Sequence, residues 1–196
     1  MVEKITKVEI VGRYLNDYGK RYYLRELASL FKKPHQTIKP YLEALVDGGI
    51  LIKAERKNLV EYSLNFKNKE IYDYLTIAEK ERTMQRLKED ALLKILFEKL
   101  SPFFEKNTFI VFGSAVNEIR KGADIDLLMI GKQNMANDLE GFENVYNKKI
   151  HKIQITGIGK LTLTLIREIY GKHLIFNNTE QIIRFFGDLH ERNKLV

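Results

Sequence analysis

The sequence predicts an α+β protein built as two domains joined by a helical connector. Three observations carry that prediction. Residues 1–66 hold apolar residues at helical spacing in three successive segments, followed by two alternating segments that read as a β-hairpin. Residues 67–105 keep a helical period with charges interleaved throughout. Residues 106–196 alternate apolar runs of strand length with helical segments, the pattern of a small mixed-sheet unit.

Composition sets the bounds. The 196 residues are 44% hydrophobic, enough for two real cores. There is no cysteine, which excludes disulfides and thiolate metal sites and leads us to expect a cytoplasmic protein. No apolar run reaches the roughly eighteen residues of a membrane span, and the first residues lack a signal-peptide core. Net charge is +7, and residues 1–66 carry twelve basic against eight acidic side chains. That bias suits a nucleic-acid partner, and equally a plain solvated basic surface.

The first domain, 1–66, opens with Ile5, Val8, Val11, Tyr14 and Leu15 on one helical face, predicting a helix over 4–18 that Gly19 ends. Leu24, Leu27, Ala28 and Phe31 define a second helix. Pro34 suits the first position of a third, which carries Ile38, Tyr41, Leu42 and Leu45 and stops at Gly48-Gly49. Two alternating strands follow, joined by the basic tip Arg56-Lys57-Asn58. This is the layout of a winged helix-turn-helix, and residues 20–52 resemble the helix-turn-helix of small prokaryotic regulators. The resemblance implies that the third helix enters the major groove of double-stranded DNA. His35, Gln36, Thr37 and Lys39 would then face base edges and phosphates, with Arg56 and Lys57 reaching a flanking phosphate from the wing. Pro40 departs from the usual pattern. It removes one backbone hydrogen bond and is expected to bend the recognition helix. A winged helix used for protein contact is the competing reading.

The connector, 67–105, places Ile71, Tyr74, Leu75 and Ala78, then Leu92, Leu93, Ile95, Leu96 and Leu100, at helical spacing. It reads as a packed helix pair between the domains. Because DNA-binding winged helices usually work in pairs, it also reads as the interface of a homodimer. Phe97, Phe103 and Phe104 are expected to pack onto the second domain, and Pro102 to help end the helical region.

The second domain, 106–196, is organised around Phe109 to Ile130. Two apolar runs, FIVF and LLMI, read as strands. Gly113-Ser114 ends the first, where the chain can turn tightly and present backbone N–H groups. Asp124 and Asp126 open the second, and strand alternation points both carboxylates one way while Ile125 and Leu127 point the other. Residues 131–149 read as loop or partial helix. A strand at 150–156, an apolar helix at 161–171, a short strand at 173–176 and a final helix complete the domain.

Gly113-Ser114, nine residues, then Asp124-Ile125-Asp126 resembles the signature of the DNA polymerase β-type nucleotidyltransferase superfamily. It is most similar to the minimal nucleotidyltransferases, including archaeal versions fused behind a winged helix. The resemblance implies that Gly113 and Ser114 cradle the phosphates of a nucleoside triphosphate, ATP being the expected one. It also implies that Asp124 and Asp126 bind Mg²⁺, which polarises the α-phosphate for in-line attack by a hydroxyl. In the family a third carboxylate often lies on the next strand. Here that strand holds Ile150, His151, Lys152, Ile153, Gln154 and Ile155. If Ile153 and Ile155 face the core, Lys152 and Gln154 take the open face beside the acid pair, and Lys152 becomes a candidate phosphate contact. Glu140, Glu143 and Glu168 could supply the missing acid only if the fold brings them close. Arg120 and Lys121 could assist phosphate binding or form a solvated turn. His151, His173 and His190 lack ligand-like spacing and read as structural or surface residues.

Two functions from different classes follow. The leading one is a DNA-binding protein that transfers a nucleotidyl group from a triphosphate to a hydroxyl, a partner protein being one acceptor. Related minimal nucleotidyltransferases act as antitoxins that adenylylate a toxin. The alternative is a transcriptional regulator whose second domain binds nucleotide without turnover.

Overall fold

A computed structural model describes residues 5–56, 59–120 and 122–195, and shows a mixed α+β protein. Among these residues are eight helices and two small sheets. The chain divides into two compact units, 1–78 with 183–194, and 79–182. The expected connector, 67–105, is shared between them. Among the described residues no helix is long and apolar enough to cross a membrane.

In the first unit, α1 (Lys7–Gly12) starts in a capping box. Thr6 Oγ1 accepts from Glu9 N–H, and Glu9 accepts from Thr6 N–H. The helix expected over 4–18 is thus shorter. Beyond Gly12 the backbone bonds tighten, with the N–H of Arg13, Tyr14 and Leu15 reaching back only three residues. The apolar positions still do their work, since Tyr14, Leu15 and Tyr18 are buried. Next come β1 (Tyr22–Tyr23), α2 (Leu24–Leu30) and α3 (His35–Asp47), which bury Leu27, Ile38, Leu42 and Leu45. Then β2 (Leu51–Arg56) and β3 (Leu59–Leu64) pair antiparallel.

The two-residue β1 escapes a reading of the sequence because it is too short for a period. It adds to β3 antiparallel. A carboxylate holds it there: Glu61 on β3 is 6% exposed, accepts from Tyr23 Oη at 2.9 Å and pairs with Arg21 at 3.4 Å. Buried Tyr14 donates its hydroxyl to Tyr62 O at 2.9 Å, tying the turns after α1 to the hairpin. His190 packs against Phe66 and Tyr18 with ring centroids 5.1 and 6.1 Å apart, and burial lowers its pKa.

In the second unit the sheet order is β6-β5-β4-β7: β4 (Asn107–Phe112), β5 (Ile125–Gly131), β6 (Ile150–Ile155) and β7 (His173–Ile175). β4 runs antiparallel to β5 and β7, while β6 runs parallel to β5. The parallel step needs a crossover, and α6 (Ala136–Tyr146) provides it. Left-handed Asn147 closes that helix, and Lys148 N–H returns to Glu143 O at 3.2 Å. One face of the sheet (Phe109, Val111, Leu127, Met129) packs on Leu139 and Phe142 of α6 and on Leu93, Leu96 and Leu100 of α5 (Ala91–Leu100). α7 (Leu163–Gly171) buries Ile166, Ile169 and Tyr170. Two helices, α4 (Ile71–Glu89) and α8 (Thr179–Glu191), contribute residues to both units.

β7 is an edge strand, and α4 covers it. Glu79 is fully buried and accepts the Ile175 N–H at 2.9 Å. Arg82 contacts Glu79 at 2.5 Å and donates to His173 O at 2.8 Å. Burial raises the Glu79 carboxyl, opposed by Arg82 and the hydrogen bonds it accepts. His173, also fully buried, directs Nδ1 at Ile169 O (3.0 Å) and is held well below its usual pKa by desolvation and by Arg82.

A pH dependence follows. The unfolded chain protonates this imidazole below about pH 6.5 and the folded chain does not, so the group's contribution is complete above that pH and is lost as pH falls. Glu79 acts in the opposite sense, because its raised folded carboxyl takes up a proton at a higher pH than the unfolded one does. Between about pH 6.5 and 5.5 the His173 contribution to the second unit is expected to fall by up to about 1.4 kcal/mol, read by hydrogen exchange of β4 and β7 amides in the wild type against His173→Gln. His173→Gln is expected to flatten that slope; an unchanged slope would refute the assignment.

Candidate functional site

The strand register decides what stands around the acid pair. Phe112 on β4 pairs with Asp126 on β5, and Asp126 pairs with His151 on β6. Paired residues share a face, so Asp126 and His151 project together. His151 Nδ1 lies 3.1 Å from Asp126 Oδ1, a hydrogen bond from imidazole to carboxylate. Asp126 is 27% and His151 63% exposed at the side chain, so the pair sits at the protein's surface. Asp124 is exposed, immediately ahead of β5.

Gly113 follows β4 with φ +70°. A Cβ there would lie 2.5 Å from Asp126 Oδ2, so glycine is required both by the turn and by the approach of the carboxylate. The Gly113 N–H already donates to Lys172 O at 3.3 Å, which removes it from any phosphate cradle. Ser114 is exposed in the 3₁₀ turn Gly113–Val116, which buried Ala115 and Val116 anchor. Arg86 fastens the turn from α4 by donating to Val116 O at 2.8 Å.

The register also corrects an expectation. Lys152 pairs with Leu127 and therefore lies on the opposite face from Asp126. Its amine bonds Gln154 Oε1 at 3.4 Å, and Gln154 donates to Gly131 O and Gln133 O. Alternation along β6 reads correctly from the sequence, but the acid pair shares its face with Ile153 and Ile155 rather than with Lys152 and Gln154. His151, read from sequence as a structural or surface residue, is exposed and is the residue beside Asp126. One signal was available: it stands at the second position of β6, as Asp126 does in the parallel β5.

Among the described residues no other acid fills the gap. Glu143 is committed to the β6 backbone, accepting from Ile150 N–H at 2.6 Å. It and exposed Glu140 belong to α6, on the far face of the sheet. Glu168 is exposed on α7. Among the described residues no three His, Asp or Glu side chains converge as a metal ligand set. Asp124 and Asp126 are the residues that could hold Mg²⁺, with water and phosphate oxygens as its remaining ligands. Arg120 pairs with Glu118 at 3.3 Å, and its carbonyl accepts from buried Lys148 Nζ at 2.5 Å, bracing the loop ahead of the acids. Lys121 lies outside the described residues.

The candidate nucleic-acid interface is the start of α3. His35, Gln36, Thr37 and Lys39 are all exposed, with Ile38 buried beneath them. Lys39 pairs with Glu43 one turn on, at 3.6 Å. α3 runs unbroken through Pro40, whose ring is exposed. The missing N–H leaves the Gln36 carbonyl without its helical donor. Arg56 ends β2, and Lys57 lies outside the described residues.

No protein-family model matches the chain, and no curated protein matches it. Among solved structures, the crystal structure of Pseudomonas aeruginosa HmgR aligns at a TM-score of 0.28 and 16% identity, covering 80% of this chain and 53% of that one. The chain therefore spans about half the length of that structure, in a superposition too loose to carry an argument.

Proposed function

We propose that this chain is a DNA-binding regulator whose first unit is a winged helix. Its second unit is a nucleotidyltransferase-type domain that binds a nucleoside triphosphate with Mg²⁺ without turning it over. The observation that carries this reading is the hydrogen bond between His151 and Asp126. A two-metal transfer site needs carboxylates on the edge where the attacking hydroxyl is activated. His151 occupies that edge, donates to Asp126 Oδ1, and brings no negative charge to bridge a second cation. One metal on Asp124 and Asp126 then suffices to hold a triphosphate, and activation of the acceptor is missing.

The runner-up, nucleotidyl transfer to a hydroxyl acceptor, is favoured by the intact Gly113-Ser114 turn and Asp124/Asp126 pair. One experiment separates the two. With ATP and Mg²⁺ the protein is expected to gain thermal stability, and the Asp124→Ala/Asp126→Ala double variant is not. With labelled triphosphates and lysate, the wild type is expected to transfer no more label than that double variant, whereas His151→Asp is expected to label above it. Label from the wild type would replace the binding reading by the enzymatic one.

For the first unit, binding to duplex upstream of the chain's own gene is expected to weaken steeply with salt. Lys39→Ala is expected to reduce the log–log salt slope by about one. A salt-insensitive complex, or none, would remove the regulator reading.

A further inference from the structure

We propose that the exposed stripe of α4 is a self-pairing surface that docks antiparallel on α4 of a second copy of this chain. α4 is one unbroken helix, so the placement of its own side chains follows from the helical period alone. Asp73, Ile77, Lys80, Glu81, Met84 and Lys88 are all exposed, and at 3.6 residues per turn they fall within an arc of about 100°. Ile77 and Met84 are 47% and 53% exposed, large apolar side chains left in water by the single chain.

The charges of the stripe differ from the others on this helix. Glu79 is matched by Arg82, and Arg86 by Glu89 and Asp90. Among the described residues, Asp73, Lys80, Glu81 and Lys88 enter no ion pair within the chain. Their order along the helix supplies the partner. A two-fold axis through the point between Lys80 and Glu81 sets Asp73 against Lys88, Ile77 against Met84, and Lys80 against Glu81, each contact occurring twice. All three pairs are complementary about the same point. A parallel arrangement would set every charge against its own like. Beside Met84, a groove lined by Leu87, Ala91 and Phe97 and rimmed by Lys88, Lys94 and Glu98 offers apolar surface to Ile77 of the second copy.

This inference stands apart from the nucleotide reading, and its test uses the full chain. Sedimentation equilibrium at physiological salt, over about 1–100 μM, is expected to show a mass twice 23.0 kDa. Lys80→Glu sets like charges across the axis and is expected to raise the dimer dissociation constant about tenfold. Lys80→Glu/Glu81→Lys exchanges the pair in both copies and is expected to return it to within about twofold of wild type. Ile77→Asp is expected to give monomer. All these positions are exposed, so circular-dichroism melts verify folding. A 23.0 kDa particle at every concentration, a dimer indifferent to the single reversal, or a failure of the exchange to restore it would each overturn the proposal.

Discussion

Replacing Glu79 by alanine is expected to cost the 79–182 unit about 3–5 kcal/mol, seen as a lower urea midpoint and faster exchange of β7 amides. Three α4 side chains do for the outer edge of β7 what a further strand would do. Glu79 takes the Ile175 N–H at 2.9 Å, Arg82 supplies the His173 carbonyl at 2.8 Å, and Thr83 lies 3.4 Å from the Ile175 carbonyl. Alanine strips the N–H of its acceptor and leaves the Arg82 guanidinium, only 23% exposed, without its carboxylate. Removing one partner of a buried pair is costly because the other charge stays behind. Glu79→Gln keeps an acceptor for Ile175 and is expected to lose less. Glu79→Leu/Arg82→Met removes both charges and is expected to recover most of the loss, short of the about 1–3 kcal/mol owed to the orphaned N–H. A Glu79→Ala protein within about 1 kcal/mol of wild type would show that the edge is held by apolar packing instead.

What the sequence revealed, and what it did not, follows from the range of the forces involved. Burial periods are local, so Leu27, Ile38, Leu42 and Leu45 announced two helices, and Val111 and Leu127 announced two buried strands. The Gly113–Asp126 neighbourhood was also legible, because an antiparallel pair of consecutive strands leaves little choice of partner. The β5–β6 register was not, since β6 arrives through the α6 crossover, and one residue of slip exchanges Lys152 for His151 beside Asp126. Glu79, Arg82 and Thr83 are not distinguished in sequence from the other polar residues interleaved along the connector. Their burial is set by an edge strand 96 residues away from Glu79. α1 ended early for a local reason that spacing ignores: apolar residues at helical intervals also fit the tighter turns after Gly12.

Gly113→Ala is expected to cut affinity for ATP and Mg²⁺ at least tenfold, to about the level of Asp126→Ala, while the unit stays folded with a loss of about 1–2 kcal/mol. Two effects are superimposed at this position. The left-handed backbone, φ +70°, penalises any side chain. Separately, the new Cβ would stand 2.5 Å from Asp126 Oδ2, yet 3.5 Å or more from Asp126 Cγ and Cβ. The clash is therefore with the free end of a side chain, and rotating the carboxylate relieves it without moving either strand. That rotation draws Asp126 away from His151, to which it is bonded at 3.1 Å. Gly122 separates the two effects. Its φ is +79°, so alanine there meets the same backbone penalty, but its Cβ would find nothing within 4 Å. Gly122→Ala is thus expected to match Gly113→Ala in lost stability and to keep wild-type nucleotide affinity. Equal loss of affinity in the two variants would mean that the turn's backbone, and not the orientation of Asp126, governs the site.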